Sequence, residues 1–326
     1  MQGESGAGFT DRGGLDKDKR TAVIRICWNN YHTPATVEEA IHWLDHYDGQ
    51  ARMIGGGTDL LLEIQQGHSP VEEAMIDTSR ITGLDLITRD EDHITIGCAV
   101  THTRIVEHEQ VIQHGTCLVE SCGVIGGPQV RNVATLAGNV AHAMPAGDGS
   151  IGLLALDAEI EVADAAGLRW MPLAAAFLGP GKSAIDHHRA ILTKIRFRPT
   201  AALEGSAFTR IMRPQGVALP MISMAARVQL DDGDNISAVR VSLGPAGPVP
   251  YLAEAAMEIL NGGPASMAQF DKATGAVLAD VPLRTSKYRA TREYRAEMIR
   301  THLPMVLDRA AGRARSGQAV PEGVGL

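Results

Sequence analysis

Residues 53–60 read MIGGGTDL and residues 135–139 read TLAGN, and these two glycine-containing stretches decide which fold the sequence predicts. In the first, three glycines separate an apolar, strand-like run from a helical segment, so the backbone can turn sharply and expose its amides. Such a turn can hold a diphosphate, because helix-terminal amides and the helix dipole favour an anion. A plain strand-to-helix turn is the alternative. Leu60 stands where the GxGxxG fingerprint requires its third glycine, so this is not a Rossmann motif.

The second stretch combines small residues with the short hydrogen-bonding side chains of Thr135 and Asn139. Asp148 follows nine residues after Asn139 and can accept hydrogen bonds from sugar hydroxyls. A dinucleotide has a diphosphate, two sugar-like chains and a ring system to hold, so the two loops together indicate a dinucleotide site. The surrounding residues 124–150 are rich in Gly, Ala, Asn and Pro, and we expect one long functional loop there.

The order of predicted elements indicates two domains, of which the second is a small α+β domain. Strands and helices alternate up to about residue 200, and Thr36 and Glu39 form a capping-box pattern at the first helix. After a hinge at residues 200–205, two strands joined by an Asp-Gly turn precede three helices. We predict a first domain and a C-terminal domain between two disordered tails, with these boundaries: 1–20 tail, 21–200 first domain, 205–311 C-terminal domain, 312–326 tail.

The composition excludes several classes of function. With 326 residues and 44% hydrophobic content the chain can bury a large core, while a net charge of -8 and 4% aromatic residues argue against a nucleic-acid surface. No apolar run of about 18 residues and no secretory signal occur, so we expect a cytoplasmic protein. The four cysteines are too scattered for a disulfide framework or an iron–sulfur cluster and are expected to be buried thiols: Cys27, Cys98, Cys117 and Cys122.

Two further patterns are assigned no function. Residues 176–183, AFLGPGKS, fit a relaxed P-loop pattern, but the preceding residues look helical and Pro180 removes an amide that the phosphate needs. We therefore expect a surface turn. The twelve histidines show no recognised ligand spacing, so neither a metal ligand nor a catalytic residue is predicted.

The quoted loops also carry a family resemblance. GGGTDLL (55–61), PQVRNVATLAGNVAHAMPAGD (128–148) and LLALDAEIEV (153–162) resemble, in this order, the FAD-binding subunit of the xanthine dehydrogenase and carbon monoxide dehydrogenase family. The resemblance extends from about residue 33 to residue 309. It implies the two-part α+β FAD-binding fold of the vanillyl-alcohol-oxidase (PCMH) type, followed by a small α+β C-terminal domain. It also implies two partners, a large subunit with a molybdenum cofactor and a small subunit with [2Fe-2S] clusters.

The resemblance further implies roles for individual positions. The FAD diphosphate would lie against the two loops, Ile125 near the flavin, and Asp148 would hold a sugar or ribityl hydroxyl. Leu192 would contact the adenine side, and Arg210 takes the place of a basic residue commonly found near the cofactor. The complete predicted cofactor-binding set is Met53, Ile54, Gly55, Gly56, Gly57, Thr58, Asp59, Leu60, Ile125, Thr135, Leu136, Ala137, Gly138, Asn139, Asp148, Leu192 and Arg210.

The chain departs from the family pattern at three positions. Ala137 replaces a common glycine, Met144 replaces a common serine, and Ala218 lies where an acidic residue near the flavin is common. The missing acidic residue at Ala218 would affect the redox potential of the flavin and the identity of its second substrate. Three functions stay open: an electron-transfer subunit, a self-sufficient FAD-dependent oxidoreductase with its own small substrate, and a cofactor-free scaffold that docks other subunits.

Overall fold

The computed structural model describes residues 28–213 and 219–323. The predicted N-terminal tail lies outside these ranges, as do Ala218 and residues 21–27 of the predicted first domain, which include Cys27. The helices are α1 (Val37–His46), α2 (Leu60–Gln66), α3 (His102–Glu107), α4 (Glu109–His114), α5 (Thr116–Gly123), α6 (Pro128–Arg131), α7 (Leu136–Ala141), α8 (Asp148–Ala155), α9 (Glu254–Leu260), α10 (Met267–Asp280) and α11 (Arg292–Ser316).

Within residues 28–213 and 219–323 the strands form four sheets. Their bounds are β1 (Asn30–His32), β2 (Ala51–Ile54), β3 (Ala74–Asp77), β4 (Ile87–Arg89), β5 (Ile94–Gly97), β6 (Glu159–Asp164), β7 (Gly167–Pro172), β8 (Phe177–Gly179), β9 (Lys182–Ser183), β10 (Ile191–Phe197), β11 (Glu204–Met212), β12 (Pro220–Leu230), β13 (Ile236–Gly244) and β14 (Tyr251–Leu252). The β8–β9 hairpin contains the P-loop-like sequence, and because Lys182 begins a strand rather than a helix, this segment lacks the geometry of a phosphate-binding loop.

The first sheet is parallel, in the order β1-β3-β2, and α1 packs against it. The predicted helix cap is confirmed, because the Thr36 hydroxyl accepts from the Glu39 amide at 3.1 Å. The Glu39 carboxylate accepts from the amide of Ala35 at 2.8 Å, one residue earlier than in a standard capping box. Ala40 and Leu44 of α1 are fully buried, at the four-residue spacing of one helix face.

The second sheet is antiparallel, in the order β4-β5-β10-β6-β7. The predicted turn at residues 164–167 closes the β6–β7 hairpin, where Asp164 pairs with Gly167. Helices α3, α4, α5, α7 and α8 belong to the same part of the chain, and their apolar residues join those of the sheet in one core. Ile96, Leu118 and Leu153 are fully buried in that core.

The third sheet is antiparallel, in the order β11-β12-β13-β14, and helices α9, α10 and α11 share its core. Strand β11 begins within the predicted hinge, and the sequence analysis did not assign it. It forms because residues 204–212 pair along their whole length with β12. Gly205 packs against α11 so tightly that a Cβ there would lie 2.5 Å from the Ala310 carbonyl oxygen.

Three other boundaries differ from the prediction. Residues 124–150 are not one loop, because they contain α6, α7 and the start of α8; Pro128 and Thr135 provide suitable helix starts. The helical stretch from residue 102 to residue 121 is divided into three short helices, α3, α4 and α5. Helix α11 begins at Arg292 rather than near residue 286, and it continues five residues past the predicted end at residue 311.

Helix α11 continues because its last turns are anchored to the core. Arg313 is buried and donates to the Glu120 carboxylate at 2.6 Å and to the Ser206 carbonyl at 2.7 Å. The amide of Glu322 also donates to Glu120, at 2.8 Å. The predicted C-terminal tail therefore supplies part of a buried hydrogen-bond network around Glu120.

Candidate functional site

The first glycine loop connects β2 to α2, as the sequence predicts, although α2 begins at Leu60 rather than Thr58. Gly57 has a φ of 65°, in the left-handed region that favours glycine. Among the described residues no acceptor is found for the backbone amides of Gly55, Gly56, Gly57, Thr58 and Asp59. Consecutive unpaired amides before a helix form a concave donor surface for an anion.

The second loop begins helix α7. The Thr135 hydroxyl accepts from the amide of Gly138 at 3.0 Å and so caps the helix. The Asn139 side-chain oxygen accepts from the Ser150 amide at 3.1 Å, which links α7 to α8. These side chains therefore stabilise the conformation of the loop. The Gly138 amide is paired with the Thr135 hydroxyl.

The two loops lie in direct contact. A Cβ on Gly56 would lie 2.2 Å from the Val133 carbonyl oxygen, and one on Gly55 would lie 3.2 Å from Thr135 Oγ1. Gly56 is therefore required by close packing of the second loop against the first. Although about 80 residues separate them in sequence, the structure brings the two loops together at one surface.

A cavity of about 600 Å³ lies against both loops. Its volume is within the range of small-molecule and cofactor sites. Of the seventeen predicted positions, all but Leu136 line this cavity. Leu136 is fully buried and packs in the core instead. A neighbouring cavity of about 640 Å³ shares Ile54, Gly55, Gly56 and Thr135 but contains none of the other predicted residues, so the first cavity fits the predicted site better.

Asp148 and Arg210 join the two halves of the chain at the wall of the cavity. Arg210 Nη1 donates to Asp148 Oδ2 at 2.9 Å and to the Val124 carbonyl at 2.6 Å. The Ser223 hydroxyl donates to the other Asp148 oxygen at 2.6 Å. Burial raises the pKa of Asp148 to about 6, although Arg210 and Ser223 act in the opposite direction.

Three groups at the cavity, His102, His187 and Cys98, are uncharged near neutral pH. Burial lowers the pKa of His102 and of His187 to about 4, and it raises the pKa of Cys98 to about 12. His142 bridges to Glu63 of α2 at 2.9 Å. No group of three or more metal-ligating side chains is found in the described ranges. The arrangement can bind and orient a ligand, and the His142–Glu63 pair places an imidazole and a carboxylate in contact at the cavity.

Several lining residues were missed by the sequence analysis. Leu219, Pro220 and Arg289 come from the C-terminal part of the chain, and only tertiary packing brings them to the cavity. His187 and Arg52 line it as well. Arg52 directly precedes the predicted loop and could have been found by extending it by one residue. Leu219 and Pro220 directly follow Ala218, which the family resemblance places near the flavin, whereas no sequence signal pointed to Arg289 or His187.

The donor set fits FAD. The unpaired amides of residues 55–59 can receive a diphosphate, and apolar side chains such as Ile125 and Leu192 can pack against flat rings. Bound FAD supplies the redox chemistry, while the protein binds and orients it. In the parts of the chain that the structure covers, no helix is both long and apolar enough to cross a membrane.

Comparisons with known proteins agree with this site. Residues 24–200 match the family model described as the FAD binding domain in molybdopterin dehydrogenase, and residues 206–310 match the carbon monoxide dehydrogenase flavoprotein C-terminal domain. The xanthine dehydrogenase FAD-binding subunit of Escherichia coli O157:H7 is 31% identical over 287 residues, 87% of this chain and 97% of that protein. The nicotinate dehydrogenase FAD-subunit of Eubacterium barkeri is 30% identical over 82% of this chain and 91% of its own.

Solved structures confirm the predicted fold class. A carbon monoxide dehydrogenase chain from Hydrogenophaga pseudoflava aligns with a TM-score of 0.80 and 25% identity, over 88% of this chain and 97% of that one. The chain is therefore an oxidoreductase subunit with FAD as its cofactor, and it belongs to the family of FAD-binding subunits of the molybdopterin dehydrogenases.

Proposed function

We propose that this chain holds one FAD in the cavity of about 600 Å³ and acts as an electron relay. The observation that carries this proposal is the row of five backbone amides, residues 55–59, which have no acceptor in the described part of the chain and pack against the second loop. The diphosphate lies against these amides and the start of α7. Ile125 and Arg210 lie at the flavin end, Leu192 at the adenine end, and Asp148 near a sugar or ribityl hydroxyl.

The proposed partners follow from the family. A large subunit with a molybdenum cofactor oxidises an organic substrate, and a small subunit with [2Fe-2S] clusters delivers the electrons to this chain. FAD accepts two electrons and passes them to an external acceptor. The relatives named as FAD subunits of xanthine and nicotinate dehydrogenases support this arrangement.

The domain division and the compartment also stay proposals. We place the FAD-binding domain at 21–200 and the C-terminal domain at 205–311, which is supported by the two family models ending at 200 and beginning at 206. The cytoplasm is the proposed compartment. Three free, buried cysteines support it, because reducing compartments keep thiols unpaired: Cys98, Cys117 and Cys122.

An anaerobic electron-transfer experiment tests the relay. The [2Fe-2S] subunit is reduced with dithionite, separated from excess reagent and mixed with the oxidised, FAD-loaded chain. Loss of flavin absorbance at about 450 nm is the expected result. The control is the same mixture without the iron–sulfur subunit. No loss in either mixture would exclude the relay.

The self-sufficient oxidoreductase and the scaffold give different results. Xanthine or nicotinate added to the isolated chain reduces the flavin only if the chain has its own substrate site. Saturating FAD raises the Tm of a true FAD-binding chain, because a ligand that binds only the folded state stabilises it. An unchanged Tm would support the scaffold.

A further inference from the structure

The C-terminal part of the chain contributes a basic wall to the cavity. Arg210 of β11 and Arg289, from the segment between α10 and α11, both line it. The Arg289 carbonyl accepts from Arg213 Nη2 at 3.5 Å. The wall therefore combines two arginines that are 79 residues apart in sequence.

Among the described residues, Arg289 has no carboxylate paired with it alone. Within residues 28–213 and 219–323 its guanidinium forms no salt bridge, and the charged groups acting on it are Asp148, Arg210 and Arg284. Asp148 is already paired with Arg210 and hydrogen-bonded to Ser223. Burial and the neighbouring arginines lower the pKa of Arg289, but an arginine stays charged at neutral pH. The wall thus carries an excess positive charge in a chain with a net charge of -8.

Arg210 adds an unsatisfied donor. Its side chain is 5% exposed, and its Nε has no hydrogen-bond partner among the described residues. A buried donor without a partner costs free energy, so a ligand that supplies an acceptor is favoured at this wall. The Arg210 bond to the Val124 carbonyl lies directly beside Ile125, at the flavin end of the proposed site.

We propose that Arg289, together with Arg210, stabilises the negative charge that the flavin ring gains on reduction. This inference rests on the proposed function. Two electrons from the iron–sulfur partner and one proton from water convert the neutral oxidised ring into a reduced ring with one negative charge. The diphosphate has the same charge in both states. Only groups close to the ring therefore change the relative affinity for reduced and oxidised FAD.

The test compares three variants of the full chain loaded with FAD. Arg289→Gln removes the charge, Arg289→Lys keeps it, and Arg300→Gln removes a charge on the exposed side of α11, where Arg300 pairs with Glu297. For each, the affinity for oxidised FAD is measured by titration and the midpoint potential by an anaerobic dye-coupled titration. Neither measurement depends on the partner subunits.

The expected result is a change in potential without a matching change in binding. Arg289→Gln lowers the relative affinity for the reduced form at least about tenfold, which corresponds to about 30 mV for a two-electron couple. Its affinity for oxidised FAD changes by less than about threefold, and Arg289→Lys and Arg300→Gln keep the wild-type potential. Weaker binding of oxidised FAD by Arg289→Gln with an unchanged potential would overturn the inference, because it would place Arg289 at the diphosphate. A wild-type chain that binds no FAD would instead overturn the proposed function.

Discussion

At the scale of single residues, Asp148 shows how burial and pairing compete. Its carboxylate accepts from Arg210 and Ser223, which favour the charged form, yet the loss of water raises its pKa to about 6. A raised folded-state pKa means that the fold prefers the protonated carboxyl. The stability contributed by this proton is complete below the unfolded pKa and is lost as the pH rises through the folded pKa.

This predicts a pH-dependent difference between the wild type and Asp148→Asn, which cannot titrate. The free energy of unfolding of the wild type, relative to the variant, should decrease as the pH rises from about 4 to about 7, by at most about 3 kcal/mol. Urea unfolding of both proteins at several pH values measures it. All other carboxylates cancel in the comparison, so a difference that stays constant or grows with pH contradicts this prediction.

Gly56 and Gly138 are glycines for different reasons. A Cβ on Gly56 meets the Val133 carbonyl at 2.2 Å, whereas one on Gly138 meets only the Thr135 hydroxyl, at 3.1 Å. Gly56→Ala should therefore destabilise the fold by about 1–3 kcal/mol and abolish FAD retention.

Gly138→Ala should lower FAD affinity with a smaller effect on stability. Gly275→Ala is the matched control, because a Cβ on this α10 residue has nothing within 4 Å, and it should stabilise the helix by up to about 1 kcal/mol. Flavin content after gel filtration and the Tm check all three variants. Normal flavin content in Gly56→Ala would show that the loops are not in close contact.

At the scale of elements, two helix caps allow an effect on the stability of the fold to be distinguished from an effect on FAD binding. Thr36 caps α1 and Thr135 caps α7 through the same type of hydrogen bond, but only α7 lies at the cavity. Each cap pairs a backbone amide in the first turn of its helix, which has no partner within the helix itself.

We expect Thr36→Val and Thr135→Val to lower the free energy of unfolding by similar amounts, about 1 kcal/mol each. Only Thr135→Val should also weaken FAD binding, because it loosens the first turn of α7. Calorimetric titration with FAD distinguishes the two. Equal FAD affinities in both variants would show that the first turn of α7 does not contribute to FAD binding.

At the scale of the whole molecule, buried ion pairs connect the halves of the chain. Glu120 of α5 is 1% exposed and receives bonds from Arg313 and from the amides of Phe208 and Glu322. Removing one partner of such a pair leaves a buried charge unpaired, which costs about 3–5 kcal/mol.

A chain that ends at residue 311 should therefore be destabilised by several kcal/mol, although it keeps both family-matched segments. A chain that ends at residue 323 keeps Arg313 and Glu322 and is the control. Thermal unfolding of both truncated chains measures the effect. Equal Tm values would show that the network around Glu120 contributes little.

Sequence alone was sufficient for many of the elements and for the two glycine loops. Short-range signals such as the Thr36 cap, the Gly55–Gly57 run and the turn at 164–167 act within a few residues, so they can be read from local pattern. The two glycine loops followed from them, while FAD and the α+β fold of the first domain were implied by the family resemblance. Helices α6 and α7 within residues 124–150 were hidden, because their starts at Pro128 and Thr135 lie among loop-forming glycines and alanines.

Tertiary structure decided which distant residues meet. Strand β11 forms through pairing with β12, and Arg289 reaches the cavity through the packing of the C-terminal part of the chain. Asp148 looked like a free acceptor in sequence but is buried against Arg210 and Ser223. Burial, pKa and the packing of one loop on another depend on contacts between residues far apart in the chain, and no local pattern encodes them.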